Sequence, residues 1–268
     1  MEHIILQEDK KSIILQHCPP NPTLQFAEHL RLPSWEVNHI ISIGGGSTID
    51  VGKWLADKYK IKHTAVPTTA GTGSEVTKYC VLMVDSKKVT FDLKEPDSYI
   101  LNPKLVVTLP ELQTLSTGLD ALSQAFEAHW STNATIESKN YSILAMELII
   151  RNLKLSMESP LNEVYRMNML IGANMSGRAI NITKTNVCHA ISYPLTELYN
   201  IPHGIACAMS LKYFAKKTGM DLDMFFLNFK LPKYKIDKEK IADIVIQSPK
   251  LSSYPHNISR QDIINSLL

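Results

Sequence analysis

The chain has 268 residues, 44% of them hydrophobic, enough to bury one large core or two moderate ones. Lys and Arg number 28 against 26 Asp and Glu, and the formal net charge of +2 excludes the basic field that nucleic acid needs. No apolar run reaches the roughly 18 residues of a membrane span, the N-terminus lacks a signal-peptide pattern, and Cys18, Cys80, Cys188 and Cys207 lack CxxC spacing. A soluble cytoplasmic protein in a reducing compartment is expected, with neither nucleic-acid nor membrane partners.

Two short apolar runs, residues 4–6 and 13–15, suit brief strands, or one strand and a connection, that Pro19, Pro20 and Pro22 stop. Thr23 is placed to cap a helix running to Leu30, and residues 39–43 form a strand that breaks into Gly44, Gly45 and Gly46. Residues 50–59 continue as an amphipathic helix. Glycines in such a turn let the backbone take positive φ and approach a ligand, toward which the first-turn N–H groups direct partial positive charge. A phosphate or pyrophosphate is the expected occupant; the alternative is a ligand-free turn capped by Ser47. The pattern is neither G-x-G-x-x-G nor the P-loop.

A strand at residues 64–66 leads into PTTAGTGSE, residues 67–75. A hydroxyl- and glycine-rich loop at the mouth of the same sheet would wrap a phosphate or nicotinamide from the other side, unless it is an ordinary turn. Residues 81–84, 89–91, 99–101 and 105–107 read as further short strands. Beyond Leu109 the pattern changes to helical periodicity over residues 112–130, 138–156, 161–181 and 203–216. The boundary between an α/β half and an all-α half therefore falls near residue 109. The Lys-rich stretches at 58–62 and 233–240 are interrupted by apolar or acidic residues and read as solvated faces.

Asp120 and Gln124 lie one helical turn apart and project from one face. His189 follows in an apolar helical pattern, and His203, between Pro202 and Gly204, stands at a helix start. One carboxylate and two imidazoles with an open position suit catalytic Zn or non-haem Fe, whereas each histidine taken alone could be structural.

Four motifs now stand in order: GGGSTIDVGK at 44–53, PTTAGTGSE at 67–75, GLDALSQAFE at 118–127, and the segment from His189 to the Pro-His-Gly at 202–204. Together they resemble the iron-containing, group III alcohol dehydrogenases. The resemblance implies a dehydroquinate synthase-like fold. An N-terminal dinucleotide-binding α/β domain (residues 1–109) would be followed by a C-terminal helical metal and substrate domain (residues 110–268), with the active site in the cleft. It implies hydride transfer between NAD or NADP and a small aldehyde or alcohol, a divalent metal (Fe2+ or Zn2+), and a homo-oligomer. Gly45, Gly46, Ser47 and Asp50 fall in the pyrophosphate motif, Thr68, Thr69, Thr72 and Ser74 would line the nicotinamide side, and Lys88 would contact the ribose.

Asp120, Gln124, His189 and His203 would form the metal set, although the family commonly has histidine where Gln124 stands. An amide oxygen is a weaker ligand than imidazole. Tyr193 likewise replaces a common histidine; its phenol can donate or relay a proton in catalysis. These two exchanges most resemble the phosphonoacetaldehyde reductase branch, and Arg178 and Lys184 are candidate cations for an anionic substrate tail. A polyol or glycerol-phosphate dehydrogenase and a catalytically silent homologue are the rival readings. Only about forty residues precede Gly44, so the opening unit reads as truncated, and the segment between Lys216 and Lys238 as shortened.

Overall fold

The computed structural model describes residues 4–6, 12–16, 18–32, 37–85 and 87–267. The chain opens with β1 (Ile4–Leu6) and β2 (Ser12–Gln16), which pair antiparallel. After α1 (Leu24–His29), capped by the Thr23 hydroxyl accepting from the Phe26 amide at 3.0 Å, comes β3 (His39–Gly44), parallel to β2. The helix α2 (Gly46–Tyr59) returns the chain to β4 (Lys62–Pro67), parallel to β3. A hairpin of β5 (Tyr79–Val84) and β6 (Lys87–Asp92) follows, and β7 (Ser98–Tyr99) then adds to β4. The main sheet thus has five strands in the order β1-β2-β3-β4-β7, parallel apart from the β1 edge.

The physical basis is plain in the strands. Ile13, Leu15 and Ile40 are fully buried and pack with Val51, Leu55 and Ala56 of α2, the near-continuous apolar pattern of a parallel sheet covered by a helix. One strand reading and one helix start change. Residues 105–107 are not a strand: Pro103–Leu105 form a 3-10 turn, with the Asn102 side chain accepting from the Lys104 amide at 3.0 Å, and Pro103 presets φ for that turn. The glycine turn also enters α2 at Gly46, ahead of residue 50, because Gly45 already acts as the cap.

Long helices occupy the rest. α3 (Glu111–Trp130), α4 (Ile136–Glu158) and α5 (Glu163–Thr183) are followed by α6 (Val187–Tyr199) and α7 (His203–Lys217). Three short helices follow: α8 (Asp223–Phe226), α9 (Lys238–Val245) and α10 (Arg260–Ser266). Leu119, Leu122, Ile149, Leu153, Ile191, Ile205 and Phe214 meet in one buried cluster. α6 tolerates Pro194 inside it, which hid its full length in the sequence pattern, and α8 to α10 are too short for periodicity to declare. No described helix is long and apolar enough to cross a membrane.

Candidate metal and cofactor site

At the end of β3 the backbone runs into α2 with Gly45 as its cap, and no side chain caps the first turn. Ser47 is therefore not the cap. Nor do the three glycines take positive φ; among the described residues the glycines that do are Gly73 and Gly219. Close approach is what these glycines serve. A Cβ on Gly44 would stand 2.4 Å from the Thr48 hydroxyl, and one on Gly46 would stand 2.8 Å from the Thr72 hydroxyl. Thr72 belongs to the second loop, as does Thr69, which lies 3.5 Å from the place of a Gly45 Cβ. The Thr68 amide donates to the Gly44 carbonyl at 2.9 Å, so the two loops meet edge to edge at the sheet mouth. Half-buried Ser47, Thr68 and Thr69 and exposed Thr72 rim uncapped helix amides, an arrangement suited to an anion.

Asp50 and Ser74 behave differently. The Ser74 hydroxyl donates to one Asp50 carboxylate oxygen at 2.5 Å, the Val81 amide donates to the other at 2.9 Å, and the buried Lys53 ammonium sits 3.0 Å from Asp50. Lys53 also donates to the Thr77 carbonyl at 3.2 Å and to that of Tyr79. These groups bind the glycine turn, the second loop and β5 to one another, and their polar atoms face inward.

The second loop is pinned to the helical half at two glycines. A Cβ on Gly71 would stand 2.8 Å from Thr117 of α3, and one on Gly73, whose φ is +61°, would stand 2.5 Å from the Gly177 Cα of α5. The buried Glu75 carboxyl accepts from the Asn174 side chain at 3.0 Å, and burial pushes its pKa up. Thr117 is one turn before Asp120, so the cofactor-type loop touches the helix that carries the candidate metal carboxylate.

That carboxylate has imidazoles on two sides. His189 Nε2 lies 3.2 Å from Asp120 Oδ1, and His203 Nε2 lies 3.8 Å from the same oxygen. Gly204 permits this convergence, since a Cβ there would stand 1.7 Å from the Ser116 carbonyl of α3. Burial alone would raise the Asp120 pKa; the His189 hydrogen bond and the charges of His203, His189 and Lys88 outweigh it and hold the carboxylate below its usual range. For His189 burial pulls down, but the neighbouring Cys207 and Glu127 charges and the Asp120 hydrogen bond raise the imidazole well above its ordinary range.

Glu127, fully buried, orients this assembly. Its carboxylate accepts from His189 Nδ1 at 2.5 Å and from the Cys188 and His189 amides at 2.5 and 3.1 Å, at the N-terminus of α6. That contact leaves His189 Nε2 directed at Asp120, the outer-shell arrangement in which a carboxylate fixes a ligating imidazole. The donor chemistry of Asp120, His189 and His203 therefore fits a divalent metal. Cys207, one turn after His203, brings a fourth ligand-type atom into the group, all such atoms lying within 4.8 Å of one another. Gln124 does not offer a ligand atom as placed: its amide oxygen accepts from Ser176 at 3.0 Å and its amide nitrogen faces Asp120 at 3.4 Å.

Tyr193 stacks on His203, ring centroids 6.0 Å apart and 10° from coplanar. Two ammonium groups lie over its ring, Lys88 at 5.9 Å from β6 and Lys250 at 5.4 Å. The candidate cations from the sequence are elsewhere engaged or exposed. Arg178 donates to Asn174 at 3.2 Å and to the Tyr99 hydroxyl at 3.0 Å, and Lys184 is exposed at the end of α5. Glu127, Cys207 and Lys250 were the residues that sequence reasoning passed over. Glu127, seven residues after Asp120 on one helix face, and Cys207, four after His203, carried a readable spacing signal; Lys250 carried none.

The sequence matches the description "Iron-containing alcohol dehydrogenase" over residues 3–110 and "Fe-containing alcohol dehydrogenase family, C-terminal" over residues 114–244. Long-chain-alcohol dehydrogenase 1 of Geobacillus thermodenitrificans is 33% identical over 197 residues, covering 65% of this chain and 50% of that protein. Phosphonoacetaldehyde reductase of Streptomyces viridochromogenes is 31% identical over 231 residues, covering 75% and 58%. The chain thus spans little more than half the length of these relatives. Sulfoacetaldehyde reductase from Bifidobacterium kashiwanohense, solved in complex with NAD+, superposes with a TM-score of 0.84 at 27% identity over 93% of this chain and 81% of that one. A parallel α/β unit with an uncapped glycine turn, joined to a helical bundle carrying Asp120, His189 and His203, agrees with both sequence matches: the chain belongs to the iron-containing alcohol dehydrogenase family.

Proposed function

We propose that the protein is a metal-dependent oxidoreductase that reduces a small anionic aldehyde with NADH or NADPH, and oxidises the corresponding alcohol in reverse. Residues 1–109 would hold the cofactor and residues 110–268 the metal and substrate. The observation that carries this reading is the contact of the hydroxyl-rich loop with α3 one turn before Asp120, which joins the anion-suited turn to the metal-suited cluster.

Gly45, Gly46 and Ser47 offer first-turn amides to a pyrophosphate, with Thr68, Thr69 and Thr72 beside it, while Asp50 and Ser74 keep the loops in register. Asp120, His189 and His203 would hold the metal, and Glu127 keeps His189 oriented. A bound metal supplies Lewis-acid polarisation of the substrate oxygen, and a reduced nicotinamide supplies the hydride. The loops fix the cofactor relative to α3, which sets the direction of attack on the carbonyl carbon. Tyr193, flat against His203, supplies the proton that the reduced oxygen takes up, so that aldehyde, hydride and proton give the alcohol.

The anionic substrate is supported by Lys88 and Lys250 over the Tyr193 ring and by relatives named for phosphonoacetaldehyde and sulfoacetaldehyde. Loss of NADH absorbance with phosphonoacetaldehyde, sulfoacetaldehyde and propanal tests the reading. Turnover with at least one anionic aldehyde is expected, with KM rising about tenfold in Lys250→Ala, the scale of one charged hydrogen bond, and KM for propanal unmoved. Tyr193→Phe should lower kcat by about 100-fold or more while metal content holds. No turnover with any aldehyde by metal-loaded protein would leave the silent-homologue reading standing.

A further inference from the structure

Cys207 is not used by the chemistry above, yet its thiol is fully buried among the groups of the candidate metal centre. Of the buried thiols only Cys207 joins the ligand-type group found among the described residues: Cys80 donates to the Asp50 carbonyl at 3.2 Å, whereas Cys207 Sγ faces His203 Nε2 at 4.0 Å. The carboxylate, the two imidazoles and this sulfur all place a ligand-type atom within 4.8 Å of every other.

We propose that Cys207 is a metal ligand of this protein, completing an Asp120, His189, His203 and Cys207 set that prefers Zn2+ to Fe2+. The inference rests on the metal reading given above.

Three observations carry it. The first is spacing. Tetrahedral zinc with bonds of about 2.0 Å to N or O and about 2.3 Å to S puts ligand atoms about 3.3 to 3.6 Å apart. Three of the separations are 3.2 Å for His189 to Asp120, 3.8 Å for His203 to Asp120 and 4.0 Å for Cys207 to His203, and every other pair lies within 4.8 Å, so side-chain adjustments of up to about an ångström bring the four atoms to one centre. The second is that Gln124 is otherwise engaged, its oxygen by Ser176 and its nitrogen turned to Asp120. A ligand missing from α3 is thereby matched by one on α7, where His203 and Cys207 stand one turn apart on one face. The third is ligand chemistry: a thiolate is a soft donor and, with imidazole, favours zinc over harder sites built from oxygen. Zinc also accepts a fifth ligand, and His203, its side chain 30% exposed, keeps one side of the centre open to substrate.

The test uses the full chain, stripped with a chelator and titrated with Co2+ as a spectroscopic stand-in for Zn2+. A near-ultraviolet thiolate-to-cobalt charge-transfer band is expected in the wild type and in Gln124→Ala, and its loss in Cys207→Ser. Cys207→Ser should also weaken Zn2+ binding by more than the about 10–100-fold that loss of an outer-shell partner costs, with circular dichroism confirming the fold. One equivalent of Co2+ bound without the band, or a band that survives Cys207→Ser, would overturn the assignment of Cys207 and leave the metal reading intact. Failure to bind Co2+ or Zn2+ at all would overturn both.

Discussion

Glu127 illustrates how a single buried carboxylate can govern a site it does not enter. With no exposure to solvent it accepts from both the His189 ring and the first amides of α6, so its charge is neutralised by an imidazole and by the helix N-terminus together. Asn186 ties the same corner down, accepting from the Trp130 indole at 2.9 Å and donating to the Glu127 carbonyl at 3.0 Å. Glu127→Gln keeps the volume but weakens the hold on His189 Nδ1. Zn2+ affinity is expected to fall about 10–100-fold, measured by competition with a chromophoric chelator, with the thermal midpoint of the metal-free protein shifting far less than for Glu127→Ala. Equal affinity in Glu127→Gln and wild type would remove Glu127 from the support of the site. The residues that the sequence made legible here were those whose chemistry shows locally: Asp120 at helical spacing from Gln124, and His203 at a Pro-His-Gly helix start. Gln124 was less legible because an amide can turn either atom to a neighbour; here its oxygen faces Ser176 of α5 and its nitrogen Asp120.

At the scale of elements, the decisive contact is between a loop and a helix. Gly73 and Gly177 cross with no side chain between them: a Cβ on Gly177 would stand 2.8 Å from the Gly73 Cα and carbonyl and 2.9 Å from Val76. Gly73 itself stands in the left-handed region, with φ at +61°, where glycine carries the least strain. Gly177→Ala should therefore cost about 1–3 kcal/mol in a urea unfolding series, the usual cost of overpacking. It should also weaken NADH binding in a fluorescence titration more than it lowers Zn2+ content, because Gly177 touches the loop directly at Gly73. Unchanged nucleotide affinity would mean that the loop does not line the cofactor. The long helices and the strands before them were readable from periodicity, since α3, α4 and α5 each present many turns of it. Residues 105–107 were not, because three apolar residues fit a strand or a turn equally and Pro103 settles the matter through φ.

For the whole molecule, buried titratable groups under the sheet couple folding to pH. His63 of β4 is buried between strands and α2, its Nε2 within 2.9 Å of the Ser42 hydroxyl, and its Nδ1 has no partner among the described residues. Burial, reinforced by the Lys53 charge, pushes its pKa down to about 3. An unfolded chain would protonate it near about 6.5. Between these values the unfolded state binds the extra proton, so this contribution to stability is fully present above the window and is lost progressively as pH falls through it. Each pH unit in that window costs up to about 1.4 kcal/mol from this group. His63→Gln, which retains a partner for Ser42, is expected to flatten the fall of the urea midpoint between pH 7 and pH 4. An unchanged slope would place the acid sensitivity elsewhere.

What the sequence by itself determined is what neighbours along the chain determine: the strand-to-helix glycine turn, the second hydroxyl-rich loop, the change to helical periodicity after Leu109, and the four ordered motifs that mark the family. What only the tertiary structure decided is which of those polar groups engage one another. Asp50 and Ser74 sit in the glycine and hydroxyl motifs yet point at each other, while Cys207, in no motif, stands beside two imidazoles. A carboxylate, amide or thiol has the same chemistry in either setting. Its role follows from which donors and acceptors arrive from elements far away in the chain, and that is set by the packing of α3 against α5, α6 and α7.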